Sequence, residues 1–152
     1  MSLSQALFST SLYDETTFYA QFRHDLLRSA SEVVIESPFI ARERAGTLYP
    51  IFERRINRGV QVYVVTRDPR EHSETMEEQS EAEIRRFEAL GVQVLLCSGN
   101  HHRKLAILDR QVLWEGSLNI LSQAKSREIM RRIDSKELAT EMFSFLKFEN
   151  FL

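Results

Sequence analysis

Residues 101–119 of this 152-residue chain read HHRKLAILDRQVLWEGSLN. Two runs of strand length, residues 104–108 and 112–115, are separated by three residues, which is a common hairpin spacing. Because residues 105–108 are apolar without alternation, we expect both faces of the first strand to be buried. The stretch therefore predicts an antiparallel hairpin inside a β-sheet.

Polar residues lie at one end of this hairpin. His102 and Lys104 are two residues apart, so their side chains lie on the same face of an extended strand. The returning strand brings Ser117 and Asn119 back to the same edge. An imidazole, an ammonium, a hydroxyl and an amide placed together predict a site for an anion.

Helices and strands alternate before the hairpin. Apolar residues recur at helical spacing in three segments, and the last two end at Gly59 and Gly91, where a left-handed residue closes a helix. The predicted elements are a helix that Asp14 caps and that ends near residue 30, a strand over 33–35, a helix with Leu48, Ile51, Phe52 and Ile56, a strand over 60–66, an acidic loop over 67–76, a helix with Ile84, Phe87 and Leu90, and a strand over 92–97.

After Gly99 strands follow one another without a long helix between them. We expect a further strand over 127–133 and a terminal helix that begins at Asp134 and Ser135, with Leu138, Met142 and Phe145 or Leu146 facing the core. The earlier alternation implies parallel pairing through right-handed crossovers. The prediction is one α/β domain over residues 1–152, with a mixed, largely parallel β-sheet and helices on both faces.

The composition fits a single folded domain. The chain is 43% hydrophobic and 28% charged, its net charge is −2, and its one cysteine, Cys97, excludes a disulfide scaffold. No apolar run approaches the roughly 18 residues that cross a bilayer, and residues 1–14 lack a signal-peptide pattern. We therefore expect a cytoplasmic protein without a membrane partner.

Six residues of the stretch fit the pattern His-x-Lys-x4-Asp-x6-Gly-Ser-x-Asn, namely His102, Lys104, Asp109, Gly116, Ser117 and Asn119. The sequence thereby resembles the phospholipase D superfamily, and in particular its members that carry the motif once. The order of helices and strands and the segment 37–39 are also similar to such members. The resemblance implies a two-histidine mechanism, in which one imidazole attacks phosphorus and forms a phosphohistidine while the other protonates the leaving oxygen.

The resemblance also implies a role for each site residue. His102 is the catalytic histidine, Lys104 and Asn119 hold phosphate oxygens, and Ser117 forms a hydrogen bond within the pocket. Glu128 fits the carboxylate that accepts a hydrogen bond from the far imidazole nitrogen, although the loop before it is slightly short. The reaction needs no metal and no other cofactor.

Four further residues near the motif receive supporting roles. Asp109, seven residues after His102, points to the opposite face of a regular strand, so we expect it to hold the turn. Gly116 is likewise expected to be structural. Arg103 and Arg127 flank the motif and are predicted to contact the substrate.

The number of histidines bears on the assembly. Of His24, His72, His101 and His102, only His102 has a lysine at the motif spacing, and we expect His24 and His72 to be surface residues. A two-histidine site therefore needs two chains, and we predict a homodimer in which both copies of His102 share one site.

Three functions remain open from the sequence. The bases concentrated over residues 103–132 favour a nuclease that cleaves DNA or RNA. The same chemistry on a lipid would make the protein a phospholipase or a phosphatidyl transferase. The third possibility is a nucleic-acid-binding or dimerisation module of a larger helicase or restriction protein.

Overall fold

The hairpin forms the middle of a seven-stranded β-sheet. The computed structural model describes residues 9–150 and 152. The strands are β1 (Ser9–Asp14), β2 (Glu32–Glu36), β3 (Gln61–Arg67), β4 (Gln93–Cys97), β5 (Leu105–Leu108), β6 (Val112–Gly116) and β7 (Ile129–Asp134). Their order across the sheet is β1-β7-β6-β5-β2-β3-β4, so the hairpin β5–β6 lies between β2 and β7.

The mixed α/β fold is confirmed, but the sheet is mostly antiparallel. Only two pairs, β2 with β3 and β3 with β4, are parallel, and the other four are antiparallel. Parallel neighbours require a long crossover, which a helix supplies only in the first half of the chain. The expectation of a largely parallel sheet is therefore corrected for β5, β6 and β7, which follow one another along the chain without such a crossover. The first strand, β1, also pairs antiparallel, with β7. Strand β1 was not anticipated.

Helices cover both faces of the sheet, as predicted. They are α1 (Phe18–Arg28), α2 (Arg42–Asn57), α3 (Glu74–Leu90) and α4 (Lys136–Phe145). Helices α1 to α3 bury Phe22, Leu48 and Phe87 in a core on one face. Helix α4 buries Ala139 and Phe143 in the core on the other face. Each layer thus places an apolar helix stripe against the sheet.

Several boundaries differ from the predicted ones. Helix α1 begins at Phe18 because the Asp14 carboxylate accepts hydrogen bonds from the backbone N–H groups of Thr16 and Thr17 and holds a turn before the helix. The predicted loop 67–76 contains a short 3₁₀ helix, Pro69–Glu71, and the first turn of α3. Of the two candidates at the end of α4, Leu146 is buried whereas Phe145 is 78% exposed.

A buried polar network joins α1 to the hairpin side of the sheet. The Trp114 side chain is fully buried, and its indole Nε1 donates to Asp25 Oδ2 over 2.9 Å. The Arg132 guanidinium donates two hydrogen bonds to the same carboxylate, over 2.8 and 2.9 Å. The buried charge of Asp25 is therefore paired and hydrogen-bonded, which removes the penalty of an isolated carboxylate.

Two motif residues have close structural contacts. The carboxylate of Asp109 accepts hydrogen bonds from the backbone N–H groups of Ala30, Ser31 and Glu32 and from the Ser31 hydroxyl, over 2.8–3.0 Å. At Gly116 a Cβ atom would lie 2.2 Å from the carbonyl oxygen of Ile129, so only glycine fits beside β7.

Within residues 9–150 and 152 no helix is long and apolar enough to cross a membrane.

Candidate active site

All the motif residues except Asp109 lie at one end of the central strands. The register aligns Glu36 with Leu105, Leu105 with Glu115, and Gly116 with Met130. The end of β2, the start of β5, the end of β6 and the start of β7 consequently lie side by side. This arrangement confirms the sequence prediction that the hairpin returns the chain to the edge from which it started.

His102 lies on an exposed loop just before β5. Its Nε2 atom is 3.5 Å from Nη1 of Arg67, and its ring lies edge-on to Phe39 with the centroids 5.9 Å apart. The ammonium of Lys104 donates to the backbone carbonyl of His102 over 2.6 Å. His102 therefore has one cationic side chain at its ring and another at its backbone, which suits an anionic substrate.

Arg67 is a site residue that the sequence analysis missed. It ends β3, only 15% of its side chain is exposed, and its Nε lies 3.2 Å from Oε1 of Glu71. Its Nη2 donates to Oδ1 of Asn100 over 3.0 Å. The i,i+4 spacing of Arg67 and Glu71 was the only signal available, and such pairs are common on any surface.

Glu71 also fixes the beginning of the His102 loop. Its carboxylate accepts hydrogen bonds from the backbone N–H groups of Gly99 and Asn100, over 2.8 and 3.3 Å. The bond from Gly99 is the main reason why the pKa of Glu71 is lowered, with further contributions from Asn100 and Arg67 acting against burial. Glu71 therefore stays ionised and holds both the loop and Arg67.

Ser117 and Glu128 lie together where β6 ends and β7 begins. The Ser117 hydroxyl oxygen accepts from the backbone N–H of Ile129 over 3.1 Å. Hydrogen bonding from Ser126, and then from Ser117, lowers the pKa of Glu128, and the Lys104 ammonium adds attraction. In the part of the chain that the structure describes, no hydrogen bond joins Glu128 to His102. The predicted orientation of His102 by Glu128 remains a prediction.

Asn119 lies in the loop after β6. Its side-chain oxygen Oδ1 is buried and has no hydrogen-bond partner among residues 9–150 and 152. The loop itself is tied to the end of β2, because Leu121 N–H donates to the Ser37 hydroxyl and Ala41 N–H donates to the Leu121 carbonyl. The Asn119 amide is thus held at this end of the strands, and its oxygen Oδ1 is still able to accept a hydrogen bond.

The two flanking arginines differ. The Arg103 guanidinium contacts the buried carboxylate of Glu36, with Nε and Nη2 at 3.0 and 2.9 Å from Oε1. Arg127 is exposed on the loop before Glu128.

Among the described residues no group of three His, Cys, Asp or Glu side chains could hold a metal ion.

Comparisons with known proteins agree with this geometry. A family model described as cardiolipin synthase, PLD-like domain, matches residues 23–147. The fold and the His-x-Lys edge define a phospholipase D-like domain. The chain belongs to the phospholipase D superfamily, within the family of cardiolipin synthase PLD-like domains.

Solved structures share the fold at low sequence identity. The phospholipase D family member Nuc from Salmonella typhimurium has a TM-score of 0.73 and 17% identity, over 91% of each chain. NucT from Helicobacter pylori has a TM-score of 0.65 and 17% identity, over 91% of this chain and 92% of that one. Phosphatidylserine synthase from Haemophilus influenzae has a TM-score of 0.66 and 16% identity, over 94% of this chain and 38% of that one. No curated protein sequence matches significantly.

Proposed function

We propose that the protein is a metal-independent phosphodiesterase, most consistent with a nuclease, that works through a phosphohistidine in a site shared by two copies of the chain. The observation that carries the proposal is the exposed imidazole of His102, with Arg67 at its ring and Lys104 at its backbone carbonyl. A phosphodiester is an anion with a poor leaving group, so its cleavage needs charge neutralisation, a nucleophile and a proton donor.

The chemistry assigns one task to each group. Nε2 of His102 attacks phosphorus, and a P–N bond forms as the bond to the leaving oxygen breaks. The imidazolium of His102 from a second copy donates a proton to that oxygen. Water then gives up a proton to this second imidazole and attacks phosphorus, which breaks the P–N bond and restores both histidines. Lys104, Arg67 and Asn119 hold the non-bridging oxygens, and Glu128 and Ser117 support the pocket.

Two of the other histidines of the same chain, His101 and His24, are poorly placed for the second role. His101 Nε2 lies against the buried Glu36 carboxylate at 2.6 Å. His72 lies on the same side as His102, because both rings pack against Phe39, but it has no lysine at the motif spacing. His24 lines a cleft that also contains Asp109, at the far end of β5. The placements of His101 and His24, and the motif lysine found only after His102, support a second copy of His102 as the proton donor, and hence a homodimer. His72 is the alternative donor from the same chain, and the mixed-dimer experiment below distinguishes the two.

Nucleic acid is the substrate we favour. Lys125, Arg127 and Arg131 are exposed on the segment that follows the motif. A row of cationic side chains suits a polymer whose backbone repeats the phosphate. Single-stranded DNA, double-stranded DNA and RNA, each incubated with the protein in EDTA, test this assignment.

A phospholipid is the second candidate substrate. The matching family model is one of cardiolipin synthase domains, and an open groove runs from Lys104 to Met142 and the exposed Phe145. A vesicle containing phosphatidylglycerol belongs in the same assay, because release of its headgroup would favour the lipid reaction. A chain that binds nucleic acid but cleaves no phosphodiester would instead be a binding module.

The shared site is tested with mixed dimers. His102→Asn should abolish turnover in the homodimer while substrate binding remains, because asparagine can neither attack phosphorus nor donate the required proton. A purified heterodimer of wild-type and His102→Asn chains should also be inactive, since its one site lacks a histidine. A heterodimer that retains about half of the wild-type rate would mean that each chain has an independent site.

A further inference from the structure

Glu36 is a buried charge next to the site that the two-histidine chemistry does not use. It ends β2, its side chain is fully buried, and its Oε2 atom has no hydrogen-bond partner among the described residues. A buried carboxylate with a spare oxygen is costly, so its presence calls for an explanation. Its position in the fold supplies one.

The other carboxylate oxygen of Glu36 holds both chain neighbours of His102. Oε1 lies 2.6 Å from Nε2 of His101, although this contact lacks the alignment of a hydrogen bond. The same Oε1 accepts a hydrogen bond from Nε of Arg103 over 3.0 Å, with Nη2 of Arg103 at 2.9 Å. The residue after His102 is therefore hydrogen-bonded to Glu36, and the residue before it lies against the same oxygen, at the end of a central strand.

We infer that Glu36 is a positioning residue. Through its buried contacts with His101 and Arg103, it fixes the backbone and the side-chain direction of His102. The inference rests on the proposed function for its catalytic consequence. It also reassigns Arg103, which holds the loop and is not primarily a substrate contact.

The geometry explains why this grip matters to the reaction. His102 is exposed, and its own ring contacts are a distant guanidinium at 3.5 Å and the edge of Phe39. Neither contact is strong enough to hold an in-line nucleophile. The loop is instead fixed from two sides, by Glu71 at Gly99 and Asn100 and by Glu36 at the next residues.

The matched pair of variants is Glu36→Gln and Glu32→Gln. Glu32 begins the same strand and pairs with Arg110 at 3.1 Å, so its replacement also removes one glutamate–arginine pair, but at the opposite end of β2. We expect Glu36→Gln to lower kcat by about 10²-fold with little change in KM, because a nucleophile displaced by about 1 Å loses that much rate. Glu32→Gln should leave both parameters within about twofold.

Arg103→Gln is a second test variant. It is needed because Glu36→Gln could lower activity simply by destabilising the fold. Loss of the arginine should lower kcat as Glu36→Gln does, whereas a substrate-contact role would raise KM and change the salt dependence instead. Circular dichroism and thermal unfolding establish that each variant is folded at the assay temperature. Unchanged kcat in both Glu36→Gln and Arg103→Gln would overturn the inference.

A structural readout separates this inference from the proposed function. In protein labelled with ¹³C at the histidine rings, the His102 signal should shift and broaden in Glu36→Gln and not in Glu32→Gln. If the wild-type chain cleaves no phosphodiester, the proposed function fails, and the ring signals alone decide on positioning. An unchanged His102 signal in folded Glu36→Gln would refute the positioning role whatever the activity.

Discussion

Replacing Asp109 separates a structural from a catalytic role within the motif. The carboxylate holds the chain just before β2 with four hydrogen bonds, three of which reach Oδ1 and one Oδ2. Asp109 itself has a φ of 54°, in the left-handed region that most residues avoid. Both features concern the turn between β5 and β6, at the end of the hairpin opposite to His102.

The structure sets the size of the expected effect. Hydrogen bonds to a charged group contribute about 1.5–3 kcal/mol each when buried, and those to exposed amides contribute less. With most of these bonds near the surface, we expect Asp109→Ala to cost about 3–4 kcal/mol, which includes about 1 kcal/mol for alanine in the left-handed conformation. Asp109→Gly should be more stable than Asp109→Ala by about that last amount. Asp109→Asn keeps Oδ1 and should cost about 1–2 kcal/mol.

The assay is thermal unfolding combined with turnover measured well below Tm. For a domain of this size about 1 kcal/mol shifts Tm by roughly 2–4 °C, so Asp109→Asn should lose about 2–8 °C. Its kcat should stay close to that of the wild type. Asp134→Asn, which removes a negative charge but keeps an oxygen to accept the exposed bond from Gln111 in the same turn, is the control and should change Tm little.

The stability effect should also depend on pH in a defined direction. Burial favours the neutral carboxyl of Asp109, but hydrogen bonds from the Glu32, Ser31 and Ala30 amides outweigh it and lower the pKa below its ordinary value of 3.8. A lowered pKa stabilises the fold above the unfolded-state pKa and loses that contribution as the pH falls. The Tm gap between wild type and Asp109→Asn should therefore narrow below pH 3.8. Loss of turnover in folded Asp109→Asn, or a gap that widens in acid, would refute this reasoning.

Three further experiments test the site. Gly116→Ala should destabilise the β6–β7 edge, seen as a lower Tm and loss of turnover, because the new Cβ would lie 2.2 Å from the Ile129 carbonyl oxygen; a variant as stable as the wild type would contradict this geometry. Activity should survive EDTA, since Lys104 and Arg67 meet the phosphate charge, and recovery only after Mg²⁺ is added would count against the mechanism. Arg67→Gln should raise KM about tenfold through the loss of a charge-assisted contact, whereas Arg70→Gln, whose arginine side chain is 80% exposed in the same turn, should not.

The parts of the fold that the sequence predicted depend on local spacing. The hairpin follows from two apolar runs and a short turn, and the ends of α2 and α3 follow from Gly59 and Gly91, whose φ values are +87° and +102°. Edge strand β1 was not predicted from the sequence, because its six residues are exposed or half-buried and form no apolar face. Its pairing with β7 joins residues more than a hundred positions apart, for which the local pattern carries no information.

The residues that support the site were not predicted either, because their partners are distant in the sequence. Glu36 appears in the sequence as a polar strand end, and its partners His101 and Arg103 are more than sixty positions away. Arg67 ends a strand whose neighbours in the sheet are β2 and β4, and nothing in its local sequence places it beside His102. The motif thus indicated the groups to which we assign the proposed chemistry, whereas the residues that hold them depend on tertiary contacts.

These contacts also constrain how two copies could share one site. Glu36 and Glu71 fix the His102 loop entirely from within one chain, so each copy carries a preformed half of the proposed site. Association then needs no folding of this loop and loses little conformational entropy there. A dimer contact that pulled His101 or Arg103 away from the sheet would expose the buried Glu36 charge without a partner, which is strongly unfavourable. The second copy must therefore approach over the exposed face of His102 and leave the Glu36 contacts intact.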